Sequence, residues 1–549
     1  MTTPSIAPGR TSGIVQTTTH WTPAELGFTA ARQHANPYVA LDFWAVFTNE
    51  SGNSLSRPGF WDGDSSWKIR FAPPAHGKRW TYQTFSSDPD DPGLHGQTGM
   101  VSVTPYTGTN SLRRHGFLRM SPGRRNFVHA DGTPFLLVGD TPWALPFRGT
   151  PDTVTRYARN RQGRGFNVAL LMSLQPDQQA TGPRNRDEPG AFDVAFEDLS
   201  RGHLNELNPL YFQQLDTLTG ILIEHGIVPA YNPVFQGFGW KGGQVLGNVA
   251  VPAEYVRYQK YLVARYGASP ALWLVSADAT GRDPMIAPAG ETIEEWDAYR
   301  QPTGIHYNPY DDYQPPWTND PYHGFHHNRT HQTAPWLDFQ WAQTGHEGKH
   351  LTHKVARMYD NLPTKAVANG ESTYERMGHT ERATGWWQGH EAWLSLVSGG
   401  TLGHVYGAGG LWNWKLTADE PGWPEWCDTA ASWSDAIEFE GCRYVGYLNR
   451  AFDGLDFADM ARCPELANGQ PLLAVPGKFY LGYLPAGGDI RLTGVPAGMT
   501  WRWFNPRTGE FAQREHTAGD DPVFSVPDNQ PWVLVVGEPR LDRPAPPPP

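Results

Sequence analysis

Phe135-Leu-Leu-Val-Gly139, Asn167-Val-Ala-Leu-Leu-Met172 and Val228-Pro-Ala-Tyr231 begin a series of short apolar runs through the middle of the chain. Leu272-Trp-Leu-Val-Ser276, Gly304-Ile-His-Tyr307, Leu337-Asp-Phe-Gln-Trp341, Ala366-Val-Ala-Asn369 and Gly403-His-Val-Tyr406 complete it. Amphipathic helical stretches lie between them, and strands alternating with helices argue for a parallel sheet. Eight such units over residues 113–455 predict a (β/α)8 TIM barrel, whose active site forms at the C-terminal ends of the strands.

On either side the texture changes. Residues 1–112 carry short alternating runs such as Tyr38-Val-Ala-Leu-Asp-Phe-Trp-Ala-Val-Phe47 and Trp67-Lys-Ile-Arg-Phe71, punctuated by Gly, Pro, Asn and Asp. That is the signature of an antiparallel β-sandwich. Residues 456–541 return to it with Gly477-Lys-Phe-Tyr-Leu-Gly-Tyr-Leu484, Met499-Thr-Trp-Arg-Trp-Phe504 and Trp532-Val-Leu-Val-Val536, predicting a second β-sandwich module. Residues 542–549 are rich in proline, and a polyproline-like tail is expected there.

Composition narrows the class. A formal charge of −12 with no dense Lys/Arg stripe disfavours nucleic acid as a partner. No apolar run approaches the roughly 20 residues needed to cross a bilayer, so no membrane partner is expected. The opening residues have neither a basic n-region nor an apolar h-region, and a cytoplasmic location is the expectation. Cys427, Cys442 and Cys463 are too few for a disulfide framework or a CxxC metal site. The 23 Trp, 22 Tyr and 25 Phe suit stacking on sugar C–H faces, and equally suit a large aromatic core.

Barrel enzymes carry their polar groups just after the strands. Those positions hold Asp140 with Trp143, Ser173 and Gln175, Asn232 and Gln236, Asp278, His306 with Tyr307, Gln343 with His346, Glu371 with Tyr374, and Tyr406 with Trp412 and Trp414. Glycoside hydrolysis needs two carboxyl groups flanking one bond, and Asp278 and Glu371 follow the fourth and seventh strands on facing sides of the mouth. An isolated carboxylate after a strand more often caps the next helix.

Gly132-Thr-Pro-Phe-Leu-Leu-Val-Gly-Asp-Thr-Pro-Trp143, Gly165-Phe-Asn167, Trp336-Leu-Asp-Phe-Gln-Trp-Ala-Gln-Thr-Gly-His346 and Asn369-Gly-Glu-Ser-Thr-Tyr-Glu375 together resemble the apiosidase-like catalytic domain of glycoside hydrolase family 140 and its relatives. Asn36-Pro-Tyr38 and Pro58-Gly-Phe-Trp-Asp-Gly-Asp64 resemble the β domain that often precedes this barrel. Trp503-Phe-Asn-Pro-Arg-Thr-Gly509 is similar to a collagen-binding-type β module found after it. By position, the resemblance implies Asp278 as acid/base and Glu371 as nucleophile. Should the acid lie elsewhere, Asp283 and Glu375 are the next carboxylates to test. One departure is local: relatives tend to end the fourth strand in Gly-Gly-Asp, whereas this chain reads Ser276-Ala-Asp-Ala-Thr280.

The reading is a glycosidase that removes a terminal sugar, with a furanosidic or branched pentose as candidate, by a retaining two-carboxylate mechanism. Asp140, Trp143, Asn232, His306, Gln343, His346 and Tyr374 are expected to line the sugar site; no metal or cofactor is expected. Two alternatives stand beside it. One is a carbohydrate-binding protein with an inactive barrel. The other is a zinc hydrolase, since His346-Glu-Gly-Lys-His350 matches HExxH and would use Glu347 as base on a continuous helix. Gly345 and Gly348 weaken that helix. His323, His326, His327 and His331 form a histidine-dense loop, and Gly237-Phe-Gly-Trp-Lys-Gly242 matches a dinucleotide fingerprint in form but with bulky residues inside it.

Overall fold

The computed structural model describes residues 15–75, 77–174, 194–234, 250–308, 329–379, 381–420, 427–517 and 521–538. Gln175, Gln236, the 237–242 glycine motif, His323, His326, His327 and the 542–549 tail lie outside the described residues.

The middle of the chain is a closed parallel barrel of eight strands. They are β1 (Leu137–Asp140), β2 (Val168–Met172), β3 (Val228–Asn232), β4 (Leu272–Leu274), β5 (Thr303–His306), β6 (Phe339–Gln343), β7 (Ala366–Glu371) and β8 (Gly403–Tyr406). Each pairs with the next, and β1 closes on β8 through Leu137 opposite Gly403 to Asp140 opposite Tyr406. The outer layer includes α1 (Pro151–Gly163), α2 (Pro209–Glu224), α3 (Pro252–Tyr266), α4 (Ile286–Trp296), α5 (His353–Tyr359), α6 (Trp386–Val397) and α7 (Gly441–Phe452). Helix starts are written locally: Thr150 and Thr153 form a reciprocal capping box before α1, Asn208 caps α2, and both helices have proline in their first turn. Among the described residues no helix is long and apolar enough to cross a membrane.

Several strand boundaries differ from the expected ones by one or two residues, and two of them bear on the site and its surroundings. Phe135 does not enter the barrel. Pro134–Phe135 pairs antiparallel with Phe127–His129, which pairs with Leu118–Met120, and Phe127 packs edge-on against Phe339 at 5.4 Å at the start of β6. This small sheet sits at the N-terminal end of the barrel, opposite the mouth. Strand β7 runs on to Glu371, making that residue the last of the strand rather than the one following it.

The N-terminal region is two sheets, one of Val15–Thr19, Thr98–Thr104, Arg79–Ser86, Phe43–Asn49 and Ser54–Pro58, the other of Ala24–Thr29, Ser66–Phe71 and Phe60–Gly63. Phe47 stacks on Phe71 at 4.0 Å between them. Two arginines join this region to the barrel by accepting the task of a helix C-cap. Arg57 donates to the Val263 carbonyl at 3.1 Å and Arg70 to the Arg265 carbonyl at 2.8 Å, satisfying the end of α3. Asp216 of α2 takes Arg70 at 2.6 Å and Arg265 at 2.8 Å. Burial alone would raise the Asp216 carboxyl, but Arg265 and Arg70 hold it below its ordinary value. That stabilisation is present above the usual carboxylate range and is lost as pH falls through the lowered value. Asp216→Ala removes a charged acceptor from the buried Arg265 and the half-buried Arg70, which keep Asp62 and Glu25, and is expected to cost about 2 kcal/mol. Urea unfolding followed by tryptophan fluorescence reads this, and an unchanged midpoint would show the network to be dispensable.

After the barrel comes a six-stranded sheet, ordered Ala461–Arg462, Leu472–Val475, Phe479–Leu484, Trp532–Gly537, Thr500–Asn505 and Glu510–His516, with a two-stranded ribbon of Asp489–Arg491 and Val523–Ser525. The strand Trp532–Gly537 shows how it is placed. Val533 and Val535 join the barrel core, while Trp532, Leu534 and Val536 belong to a separate core inside the module. Period-two alternation puts successive residues on opposite faces, so a strand buried on both sides is apolar throughout. Trp393 of α6 meets Tyr483 and Phe504, and Phe452 of α7 meets Phe479.

Candidate active site

Side-chain direction at the strand ends follows from packing. Tyr231 stacks on Tyr266 of α3 at 4.7 Å, so it faces the helical layer and Asn232, one residue on, faces the barrel interior. His306 is the last residue of β5; its ring is 5.6 Å from that of Trp143 and 6.3 Å from that of Trp341. Gln343 ends β6 directly beside Glu371, with a register shift between Ala342 and Gln343.

Glu371 is the centre of the arrangement and only 7% exposed. His346 Nε2 lies 3.1 Å from its Oε1. His306 Nε2 approaches Oε2 at 3.3 Å, less well aligned. The Tyr374 hydroxyl accepts the Trp143 indole N–H at 2.7 Å, and its ring lies 4.6 Å from that of His346. Burial pushes His306 down to about 4, partly opposed by the nearby Glu371 charge, so this imidazole is neutral over ordinary working pH.

Asp278 is 4% exposed and follows β4 with φ of 53°. Left-handed backbone at a non-glycine residue costs about 1–3 kcal/mol and persists where the surroundings enforce it. Here they do: the Asp278 N–H donates to His306 Nδ1 at 3.2 Å, and Ala279 bridges to Tyr307. One imidazole thus lies between the backbone of Asp278 and the carboxylate of Glu371.

Seven further positions were expected at the sugar site. Trp143, His306, His346 and Tyr374 gather around Glu371. Asn232 and Gln343 reach the interior; both amide atoms of Asn232 and the Gln343 Oε1 are buried without a partner among the described residues. Buried amides in that condition are open to a ligand or to water. Asp140 departs from the expectation. Its Oδ2 takes the Arg161 guanidinium and the Tyr157 hydroxyl, both on α1, and its Oδ1 takes the Thr141 N–H. The side chain therefore faces the helical layer and anchors α1 to β1.

Glu375, a fallback acid on sequence grounds, is also structural. It accepts N–H groups from Gly385 and Gly441, and the Tyr406 hydroxyl donates to it at 2.6 Å. A Cβ at Gly441 would come within 2.5 Å of that carboxylate, which explains glycine at the start of α7.

The HExxH segment is not a helix. Residues 346–349 form a bend flanked by Gly345 at φ 85° and containing Gly348 at φ 67°. His346 turns to Glu371, while His350 stacks on Trp387 at 4.1 Å. The two imidazoles do not share the single helix face that zinc ligation by this motif needs. His331, from the histidine-dense loop, binds the Gly281 carbonyl through Nε2 at 2.7 Å and packs near Trp336, which is a structural role.

One buried carboxylate lies on a helix, away from the strand ends. Glu391 on α6 accepts the Thr344 hydroxyl at 3.0 Å and the Thr373 N–H at 3.2 Å, bracing the residues on both sides of the site. Burial pushes it up to about 8. A lone carboxylate within the apolar stretch Trp386–Val397 was the available signal.

The family model described as apiosidase-like, catalytic domain, matches residues 121–459. A domain of unknown function, DUF5060, matches residues 17–87. No curated protein matches the chain. The chain is similar in fold to a candidate glycoside hydrolase from Bacteroides vulgatus ATCC 8482, with a TM-score of 0.69 and 18% identity over 95% of this chain and 99% of that one. It is also similar to a glycoside hydrolase family 5 protein from the same organism, with a TM-score of 0.59 and 19% identity over 77% of this chain and 94% of that one. The family match covers more than half of the residues and the whole barrel: the chain belongs to the apiosidase-like catalytic domain family and is a glycosidase acting on carbohydrate.

Proposed function

We propose that this glycosidase removes a terminal, uncharged sugar, with a furanosidic or branched pentose as the leading candidate, by a retaining double displacement. Glu371 is the nucleophile and Asp278 the acid/base. In the first step Asp278 gives its proton to the glycosidic oxygen as Glu371 attacks the anomeric carbon. In the second, Asp278 takes a proton from water, which displaces Glu371. Asn232 and Gln343 are proposed to hydrogen-bond the sugar hydroxyls, and Trp143 to offer an aromatic wall.

The observation that supports this reading is the Asp278–His306–Glu371 chain at the C-terminal ends of β4, β5 and β7. A strained backbone presents one carboxyl residue, and a buried constellation of donors holds the other. A three-module division at 1–112, 113–455 and 456–541 belongs to the same proposal. The test is a panel of 4-nitrophenyl pentosides and hexosides, with the product anomer followed by NMR. Initial release of the same anomer as the substrate is expected. Inversion would discard the nucleophile role, and binding of sugars without turnover would favour an inactive barrel.

A further inference from the structure

His306 and His346 sit one against each oxygen of Glu371, yet no proton or sugar transfer proposed above uses them. On the far side of each ring, Nδ1 meets a backbone amide. For His346 it is the Tyr374 N–H at 3.2 Å, and for His306 the Asp278 N–H at 3.2 Å. A backbone N–H can only donate, so each Nδ1 is an acceptor and carries no proton. A neutral imidazole has a single N–H, which must then be on Nε2, facing the carboxylate.

We infer that His306 and His346 are positioning residues, a pair of neutral donors that hold the Glu371 carboxylate ionised and fix its plane, rather than contacts for the sugar. This rests on Glu371 being the nucleophile. Neutrality matters to the chemistry. Two imidazolium ions would tie the carboxylate into ion pairs and withdraw the charge needed for attack. The hydrogen bond from His346, with the His306 N–H facing Oε2 at 3.3 Å without full alignment, orients the carboxylate by neutral groups and leaves its charge available.

The same geometry favours the ionised form of Glu371. Both imidazole N–H groups face Glu371 as donors, and a carboxylate accepts at both oxygens, whereas a carboxylic acid is a weaker acceptor at its hydroxyl oxygen. The arrangement also explains why residues 344–350 turn away from helix: only a bend at Gly345 brings His346 back over the end of β7.

Two amide replacements separate the two ends of the ring. His346→Gln can place an N–H near the Nε2 position, keeping the donor to Glu371. His346→Asn can place an oxygen near Nδ1, keeping only the acceptor for Tyr374 N–H. With the best 4-nitrophenyl glycoside of the panel, His346→Asn is expected to lower kcat about 10–100-fold with KM within about twofold, and His346→Gln to recover most of that loss. Asn performing as well as Gln, or KM rising with kcat unchanged, would overturn the inference. A readout independent of turnover uses the intact protein labelled with ¹⁵N-histidine. Both rings should show the Nε2–H tautomer, and both Nε2 signals should move in Glu371→Gln. An Nδ1–H tautomer at His346 would sink the inference even if Glu371 proves to be the nucleophile. Full turnover in Glu371→Gln, with the tautomers as expected, would instead remove the catalytic reading and leave the hydrogen-bond assignment standing.

Discussion

Glu371→Gln is expected to reduce turnover by about 10⁴-fold or more, equivalent to roughly 5.5 kcal/mol of lost transition-state stabilisation. The amide is nearly isosteric but neither attacks the anomeric carbon nor offsets positive charge developing on the sugar. Its pocket is built for an acceptor at both oxygens, since His306 and His346 each face one. An amide can satisfy only one of them and sets its NH2 against the other. Some loss of thermal stability should therefore accompany the loss of activity, without unfolding at assay temperature. Kinetics on 4-nitrophenyl substrates, with circular dichroism to verify folding, check this. Activity within about tenfold of the parent would remove Glu371 from the reaction, because losing a nucleophile costs far more.

Asp278→Asn is the second large effect, and its form depends on the leaving group. Asparagine tolerates left-handed backbone, so φ near the observed 53° survives and the N–H to His306 Nδ1 is kept. Only the proton is lost. On an unactivated alkyl glycoside, kcat/KM should fall about 10²–10⁴-fold, the usual contribution of a general acid. A 2,4-dinitrophenyl glycoside needs no protonation on departure, so its first step should be spared while hydrolysis of the glycosyl-enzyme stalls, lowering KM. Added azide, which needs no general base, should then restore turnover and yield a glycosyl azide of retained configuration. An Asp278→Asn variant fully active on the alkyl glycoside would place the acid elsewhere. Glu375 is a poor replacement, since two backbone N–H groups and Tyr406 already occupy its carboxylate.

The barrel was legible because its strands are buried on both faces. That burial makes Val168–Met172 or residues 228–231 apolar without alternation, a pattern that separates cleanly from the amphipathic helices between them. The N-terminal sheets were legible for the opposite reason, alternation such as Ser66–Phe71, where Trp67, Ile69 and Phe71 are buried and Lys68 and Arg70 between them are not. Cap residues such as Thr150 and Asn208 act over one helical turn and are readable from a few neighbours.

Strand position along the chain is also local, and it was enough to bring out Asp278 and Glu371 as strand-end carboxylates. Direction and partnership are not local. Asp140 and Asn232 both end strands, yet one faces α1 and the other the interior, because pairing with Arg161 across a helix decides the first and Tyr231 packing on Tyr266 decides the second. The HExxH pattern fails for a similar reason: helix formation there loses to the bend at Gly345 and Gly348 that delivers His346 to Glu371. Composition and periodicity encode which residues are buried and in what element, since burial free energy sums over many side chains and leaves a repeating trace. Which buried polar atom meets which is settled by single contacts between residues such as His346 and Glu371, or Arg57 and Val263, whose closeness exists only once the chain has closed on itself.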